Sequence, residues 1–574
     1  MCNNYYLVTT FLARFTHSII GTRIVLNMRK TNKRKLKKSS FTKNILILLI
    51  THMVVKIIGV VNKIYLTNRE GFGDEGNAIY SSAFQIYALF LTICSIGIPN
   101  AVSKLVSEKL AIGDSKGAHK VFKIAVIAFG VLGFTSSIIL FTCAHNISHN
   151  WFQIPEAELS LIALSPSIFF VSITAVIRGY FNGREHISAG ANSQTIEQIF
   201  RTVITIILIE IISKNTGTDT RVMAAGAAIA TTISEIICFT YLFKYYKSVS
   251  REIANEMKNS LNYKYSGIRK TIFDILAVSI PMSIGPILAG INKNIDSMTI
   301  VRGLKNFMSD SSAKLEYGML VGKIDTLVVF PLSFNAAFSS TLIPMVSAAK
   351  ASNNFAPVQR KIKFSLLIAL LVGIPCTVGL MLFAQPILEL LFPNQSAGAN
   401  LLQISAVSIT FMMLNQNVNA VLQGLGKTII PTIGLIIGMI VKLSLNLLLV
   451  PINPYDFFLG GTRGAAIATA LSNIIMFIVS AIFLKKFIKI GIQKKQIIKI
   501  CMATIMMAIC TVFIYNSFLG IISSKLCIIL ALVFAIAIYL VLILILRVFS
   551  EEEILVLPYG NKIYGILKFL KIYK

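Results

Sequence analysis

Apolar residues in this chain come in long unbroken runs, not in alternating or helical-period stripes. Runs of about 20 residues, enough for a helix to cross the hydrocarbon of a bilayer, recur along nearly the whole length. About fourteen meet the spanning rule. A soluble helical array would carry polar faces at a helical period, and these segments are apolar all round. The pattern predicts an all-α integral membrane protein. Spans are expected near 44–66, 78–99, 121–142, 159–180, 191–213 and 222–243. After a basic stretch they resume near 271–302, 317–348, 364–385, 400–422, 429–450 and 464–484, with a last pair at 497–515 and 526–546.

The pattern also repeats. GAAIAT begins at Gly226 and again at Gly464, and each copy leads into a Ser and an Ile pair, Ser234–Ile236–Ile237 and Ser472–Ile474–Ile475. Phe181–Asn182–Gly183 matches Leu422–Gln423–Gly424 at nearly the same offset, and Arg201 falls on Lys442. Two lobes of six spans are therefore expected, 44–243 and 271–486, joined by a cytoplasmic linker at 244–270. An even number of spans per lobe relates the lobes by an axis along the membrane normal, and such repeats suggest alternating access around a site between them. Residues 487–547 form an added two-helix hairpin, and 548–574 a cytoplasmic tail.

The charge changes the picture less than its size suggests. The formal net charge is +30, yet only 14% of residues are charged and 55% are hydrophobic, against roughly 25% charged in soluble domains. Lys and Arg gather in alternate loops and in the tail, and the intervening loops are nearly free of them. That is the positive-inside asymmetry, which puts both termini in the cytoplasm. The basic loops also suit anionic headgroups. No aromatic-basic motif accompanies them, so nucleic-acid binding is not expected. The eight Cys are scattered without a CxxC pair, and the six His form no HExxH motif, so neither a metal site nor a disulfide framework is expected. Residues 1–43 form a basic N-terminal segment. Its first part, 1–27, is a poor signal peptide. It reads either as an over-extended start ahead of Met28 or as an interfacial helix.

Charges inside spans are costly and each needs an account. Lys56 and Lys63 lie seven residues apart on one helix face. They are candidates for a cationic stripe on a central cavity, extended by Arg69, with snorkelling to headgroups the alternative for Lys63. Arg302 is a further cationic candidate toward the outer end. Glu197 and Arg201 are placed to pair, Glu210 is expected to be wet, and Lys293 and Asp296 are placed to pair. Lys323 and Asp325, two apart, each need a partner from another helix. Asp296, Asp325, Lys442, Asn446, Glu197 and Arg201 are candidates for an ion-coupling site or for internal ion pairs. Pro281, Gly285 and Pro286 mark a hinge or simple packing curvature, and Pro331 and Pro344 interrupt the eighth span. The deep charges are mostly cationic, which suits an anionic substrate such as a lipid-linked pyrophosphate sugar.

Particular stretches carry a resemblance. IPNAVSKLVSEKLAIGDSKGAHKVFK from Ile98 to Lys123, the run Arg178–Gly179–Tyr180–Phe181–Asn182–Gly183 followed by Glu197–Gln198, LQGLGKTIIP from Leu422 to Pro431, and the GAAIAT segment resemble the stage V sporulation protein B-like polysaccharide transport family. That family, with the lipid II flippases as close relatives, belongs to the multidrug/oligosaccharidyl-lipid/polysaccharide (MOP) exporter superfamily. The resemblance runs from about Lys43 to Lys486. It implies a MATE-like fold, two six-helix lobes in a V around a central cavity with two extra helices. Lys56 and Lys63 fall in the segment where related flippases place cavity-facing basic residues, with Asn62 beside them. Gln85 stands in the region of a second-helix cavity arginine. Some relatives bind sodium between the seventh, eleventh and twelfth helices, where Lys442 lies, so its ammonium is expected to take the ion's place.

The function implied is a flippase for an anionic lipid-linked cell-wall or polysaccharide precursor, lipid II-like and undecaprenyl-pyrophosphate-linked, tied to peptidoglycan or spore cortex. It is expected in the bacterial cell membrane as a monomer, with no cofactor and with Na⁺, H⁺ or the membrane potential as the drive. A drug/cation antiporter is the alternative and would want an acidic cavity. A membrane glycosyltransferase or polymerase would need a catalytic carboxylate in an outer loop, such as Glu70, Asp74 or Glu75, and would not need two lobes. A non-transporting scaffold is the fourth reading. No catalytic residue is expected.

Overall fold

The computed structural model describes residues 41–95, 97–258, 260, 267–351, 356–488, 494–551, 553, 564, 565 and 568. The 1–27 segment, most of the basic N-terminal stretch and most of the tail lie outside the described residues. The first lobe holds α1 (Phe41–Asn68), α2 (Gly73–Ser95), α3 (Gly97–Ala111), α4 (Ser115–Asn146), α5 (Ala157–Gly183), α6 (Ile187–Thr216) and α7 (Thr220–Lys258). The second holds α8 (Ile268–Leu304), α9 (Asp310–Met319), α10 (Asp325–Val329), α11 (Leu332–Ala351), α12 (Ala356–Leu382), α13 (Ala384–Leu391), α14 (Ala399–Gly424), α15 (Ile429–Leu449) and α16 (Gly461–Phe487). A hairpin of α17 (Lys494–Phe518) and α18 (Ser524–Ile545) follows. It packs on α12 and α13 of the second lobe, where Tyr539 donates to the Leu371 carbonyl at 2.9 Å.

The all-helical expectation holds, since no strand occurs among the described residues. Among the described residues, ten helices are long and apolar enough to cross a membrane, or eleven with one bent pair taken as a span. Three more, α1, α6 and α14, run for 28, 30 and 26 residues. The outer surface of the bundle fits lipid: Ile127 of α4, Phe273 of α8 and Phe513 of α17 are each about 70% exposed, which water would penalise.

Some boundaries differ from expectation. The basic stretch after the sixth span is helix as far as Lys258, and much of the loop after the second span is α3. The eighth span is not one rod. It runs through α9, a π turn at Leu320–Ile324 and α10. It then bends by 47° where Pro331 stands, before α11. In contrast α8 runs through Pro281, Gly285 and Pro286 as one continuous helix.

The repeat is visible in packing. A Cβ at Gly183 would meet the Ser103 carbonyl and Val106 of α3, and one at Gly424 would meet the Ile343 carbonyl and Val346 of α11. Each glycine lets the fourth long helix of its lobe close on the lobe's second. The GAAIAT helices also have equivalent neighbours, α7 against α6 and α16 against α15. The matched motifs are therefore contact surfaces that the two lobes share.

Between the lobes, α2 packs on α8 and α9, and α3 on α8. Polar bonds across this seam gather at the end opposite the basic loops. Asn68 donates to the Leu391 carbonyl at 2.8 Å, and Asn394 to the Asn68 carbonyl at 2.7 Å. Lys314 meets Glu156 at 2.5 Å. Arg302 and Lys305 donate to the carbonyls of Asn150 and Gln153 at 2.9 and 3.2 Å. The two lobes are bonded to each other at this end.

Candidate functional site: a cationic cavity between the lobes

Behind that seal lies a cavity of about 600 Å³. Helix α1 lines it with Lys56, Gly59 and Lys63, at the spacing that keeps one face inward. Facing them are Tyr80 and Gln85 of α2, Arg201 of α6, Lys293 and Asp296 of α8, Asp325 of α10 and Lys442 of α15. Lys63 donates to Ser81 Oγ at 3.1 Å and stands 5.8 Å from the centre of the Tyr80 ring. The expected stripe of Lys56 and Lys63 is thus brought onto the wall.

Three expectations fail, for local reasons. Arg69 does not extend the stripe: its guanidinium turns to Glu210 at 2.9 Å and Ser213 at 3.0 Å. Glu210 itself stays wet as expected, its side chain 38% exposed, while Tyr65 also donates to it at 2.8 Å. Arg302 lies outside the cavity, on the Asn150 carbonyl at the seam between the lobes. Lys293 and Asp296 do not pair, because Asp296 is taken by α15. Lys442 Nζ sits 2.6 Å from its Oδ2, and Asn446 donates to its Oδ1 at 3.1 Å.

Lys442 also donates to the Asn292 carbonyl at 3.2 Å, and Asn446 to Thr299 Oγ1 at 2.9 Å. The ammonium is held in an oxygen-lined nook. The eighth span meets its demand unequally. The π turn aims Lys323 out of the cavity, to Asp74 Oδ2 at 2.8 Å and the Gln395 carbonyl at 2.5 Å. Asp325 faces the cavity with no hydrogen-bond partner among the described residues.

Glu197 and Arg201 pair as expected, at 2.8 Å, inside a larger cluster. Arg178 of α5 meets Glu197 at 2.9 Å, and Arg201 reaches Glu235 of α7 at 3.2 Å. Two guanidiniums balance two carboxylates, and only Arg201 reaches the cavity wall. Sequence reasoning missed Arg178 as a charge partner and Glu235 altogether. Each closes the cluster from another helix, and no spacing along the chain encodes that.

A charge count follows. Arg201 belongs to a balanced square and Lys442 is balanced by Asp296. Lys56, Lys63 and Lys293 remain, with no ion-pair partner among the described residues, against Asp325 alone. The cavity wall therefore carries a surplus of positive charge.

A family model described as polysaccharide biosynthesis protein matches residues 41–350, more than half of the chain. The chain belongs to this family. A second model, MatE, matches 320–448. Stage V sporulation protein B of Bacillus subtilis (strain 168) is 24% identical over 465 residues, covering 80% of this chain and 86% of that protein. Lipid II flippase MurJ of the same organism is 26% identical over 427 residues, covering 72% and 77%. A solved structure, lipid II flippase MurJ in an inward closed conformation, superposes with a TM-score of 0.63 at 16% identity over 87% of this chain and 98% of that one. The helical fold, which the repeat led us to expect as two lobes, is therefore shared with that structure.

Proposed function

We propose that this chain moves an anionic lipid-linked precursor of cell wall or polysaccharide across the bacterial cell membrane by alternating access. The cargo is a lipid II-like, undecaprenyl-pyrophosphate-linked glycan, in peptidoglycan or spore-cortex synthesis. The chain acts as a transporter, not an enzyme. It works as a monomer with fourteen spans, and both termini and the basic loops face the cytoplasm. The observation that carries this reading is the triad of Lys56, Lys63 and Lys293 on the cavity wall without carboxylate partners. Ammonium groups left without carboxylates on one cavity wall are suited to a pyrophosphate, and the relatives named as lipid II flippases support the class of cargo. A drug-cation antiporter would meet repulsion from the same wall. For the drive, Lys442 fills the nook made by Asp296, Asn446 and the Asn292 carbonyl. This favours the membrane potential or protons over sodium.

The test is depletion of the protein in its host, with lipid II exposure read by an externally added cleaving toxin. Wild type and Lys56→Ala/Lys63→Ala chains are supplied back. Precursor protected in depleted cells and exposed again only by wild type is the expected result. Lipid II exposed throughout in a host without redundant flippases rejects this cargo.

A further inference from the structure

We propose a binding site for a divalent transition-metal ion at the outer end of the first lobe, made by His145, His149 and Glu158. The two histidines are four residues apart, where α4 passes into a π turn at Ile147–Trp151. Their rings stack with centroids 4.0 Å apart. Glu158 reaches them from the first turn of α5. Its Oε2 lies 3.4 Å from His145 Nδ1 and 3.8 Å from His149 Nδ1. One ligand atom from each of the three residues falls within 4.8 Å of the others. Two imidazoles and one carboxylate with one side open to solvent form the donor set of an open zinc-type site, with water completing the shell. Hard cations such as Ca²⁺ or Mg²⁺ prefer all-oxygen sets, so Zn²⁺, or Co²⁺ as its probe, is the ion class the set selects.

The scaffold is ordered before any ion arrives. Ser148 Oγ donates to the Ala144 carbonyl at 2.9 Å. Phe152 N donates to the Ile147 carbonyl at 3.0 Å and Ile154 N to the Ser148 carbonyl at 2.9 Å. Phe152 and Ile154 are fully buried. The histidines and Glu158 therefore flank a turn whose ends are fixed, and His149 Nδ1 gives up its 3.1 Å contact with the His145 carbonyl if that nitrogen takes the ion.

The position adds a consequence. The same turn supplies the Asn150 and Gln153 carbonyls and the Glu156 carboxylate that receive Arg302, Lys305 and Lys314 of the second lobe. An ion held by His145, His149 and Glu158 ties α4 to α5 behind this turn, so it stabilises the surface on which the lobes close outside.

The experiment uses the full chain purified without a polyhistidine tag, stripped with EDTA and held in nanodiscs. Co²⁺ is titrated and the visible d–d absorption recorded, then Zn²⁺ is added in competition, and melting is followed with and without Zn²⁺. The expected result is one Co²⁺ per chain, displaced by Zn²⁺, and a rise in Tm with saturating Zn²⁺. Glu158→Gln and the His145→Ala/His149→Ala chain should each lose the absorption and the Tm rise, while melting in EDTA as wild type does. No band at one equivalent of Co²⁺, or a band that survives in the double variant, overturns the proposal. In the second case the ion is held elsewhere, as at His119 or His186.

Discussion

Lys323 Nζ lies 2.8 Å from Asp74 Oδ2, and this pair joins the second lobe to the first with both side chains almost wholly buried. It forms because the π turn rotates Lys323 away from the face of Asp325, and because Gly322 lies so close to Asn77 that a Cβ there would meet its side chain. Removing one partner of such a pair leaves a bare buried charge, at a cost of about 3–5 kcal/mol. Asp74→Ala should therefore lower Tm and open the outer end. A membrane-impermeant thiol reagent added outside should then reach a cysteine placed at Ser81 on the cavity wall. The paired change Lys323→Met/Asp74→Leu should recover the Tm. If Asp74→Ala leaves both Tm and labelling unchanged, the pair is not part of the seal.

The three unpaired lysines do not contribute alike. Lys63 is held by Ser81 and the Tyr80 ring, whereas Lys56 and Lys293 line the same cavity with no ion-pair partner among the described residues. A charge-assisted hydrogen bond contributes about 1.5–3 kcal/mol. Lys293→Ala should thus weaken binding of a pyrophosphate-bearing lipid by roughly tenfold to a hundredfold, with Tm unchanged or raised as repulsion with Lys56 is relieved. Native mass spectrometry or fluorescence titration in nanodiscs reads the affinity. Lys56→Glu, which gives Lys293 a partner, should weaken it further while raising Tm.

In the square of Arg178, Glu197, Arg201 and Glu235, the two carboxylates depend on both guanidiniums. Arg178→Met leaves the carboxylates sharing Arg201 and should lower Tm clearly. Adding Glu235→Gln restores the balance of one cation and one anion and should recover much of that loss. A coupling of about 0.5–3 kcal/mol in the double-mutant cycle is expected for groups in one network. Additive losses would show that the square does not act as a unit.

How much of this was legible beforehand depends on whether a contact runs along a helix or between helices. Lys56 with Lys63, Glu197 with Arg201, and Lys442 with Asn446 are related by helical spacing, and the structure places each pair on one face as the sequence requires. The repeat was legible for a similar reason: Gly183 and Gly424 mark the same close approach in each lobe. The misassigned partners all lie across the fold. Asp296 had Lys293 three residues away on its own helix, yet α15 brings Lys442 to 2.6 Å. Arg69 looked free until α6 supplied Glu210. The pairing of Lys323 needed a π turn, a backbone irregularity that leaves no mark in hydropathy. His145 and His149 show helical spacing too, but their carboxylate comes from the next helix, so no HExxH motif announced them.

The nook around Lys442 yields the sharpest test of what drives transport. Asp296 Oδ2 and the Asn292 carbonyl hold an ammonium that carries the same single charge as Na⁺, and Asn446 bridges Asp296 to Thr299 beside it. With the lysine in place, a free cation would meet both a filled space and a like charge, so NaCl and choline chloride should have the same effect on wild-type Tm. Lys442→Ala removes the resident charge and leaves a buried carboxylate among neutral oxygens, a setting that favours a hard cation. In that variant NaCl should raise Tm where choline chloride does not, and Asp296→Asn added to it should abolish the difference. A sodium effect already present in wild type would mean that Lys442 does not substitute for the ion, and sodium would return as a candidate for the coupling.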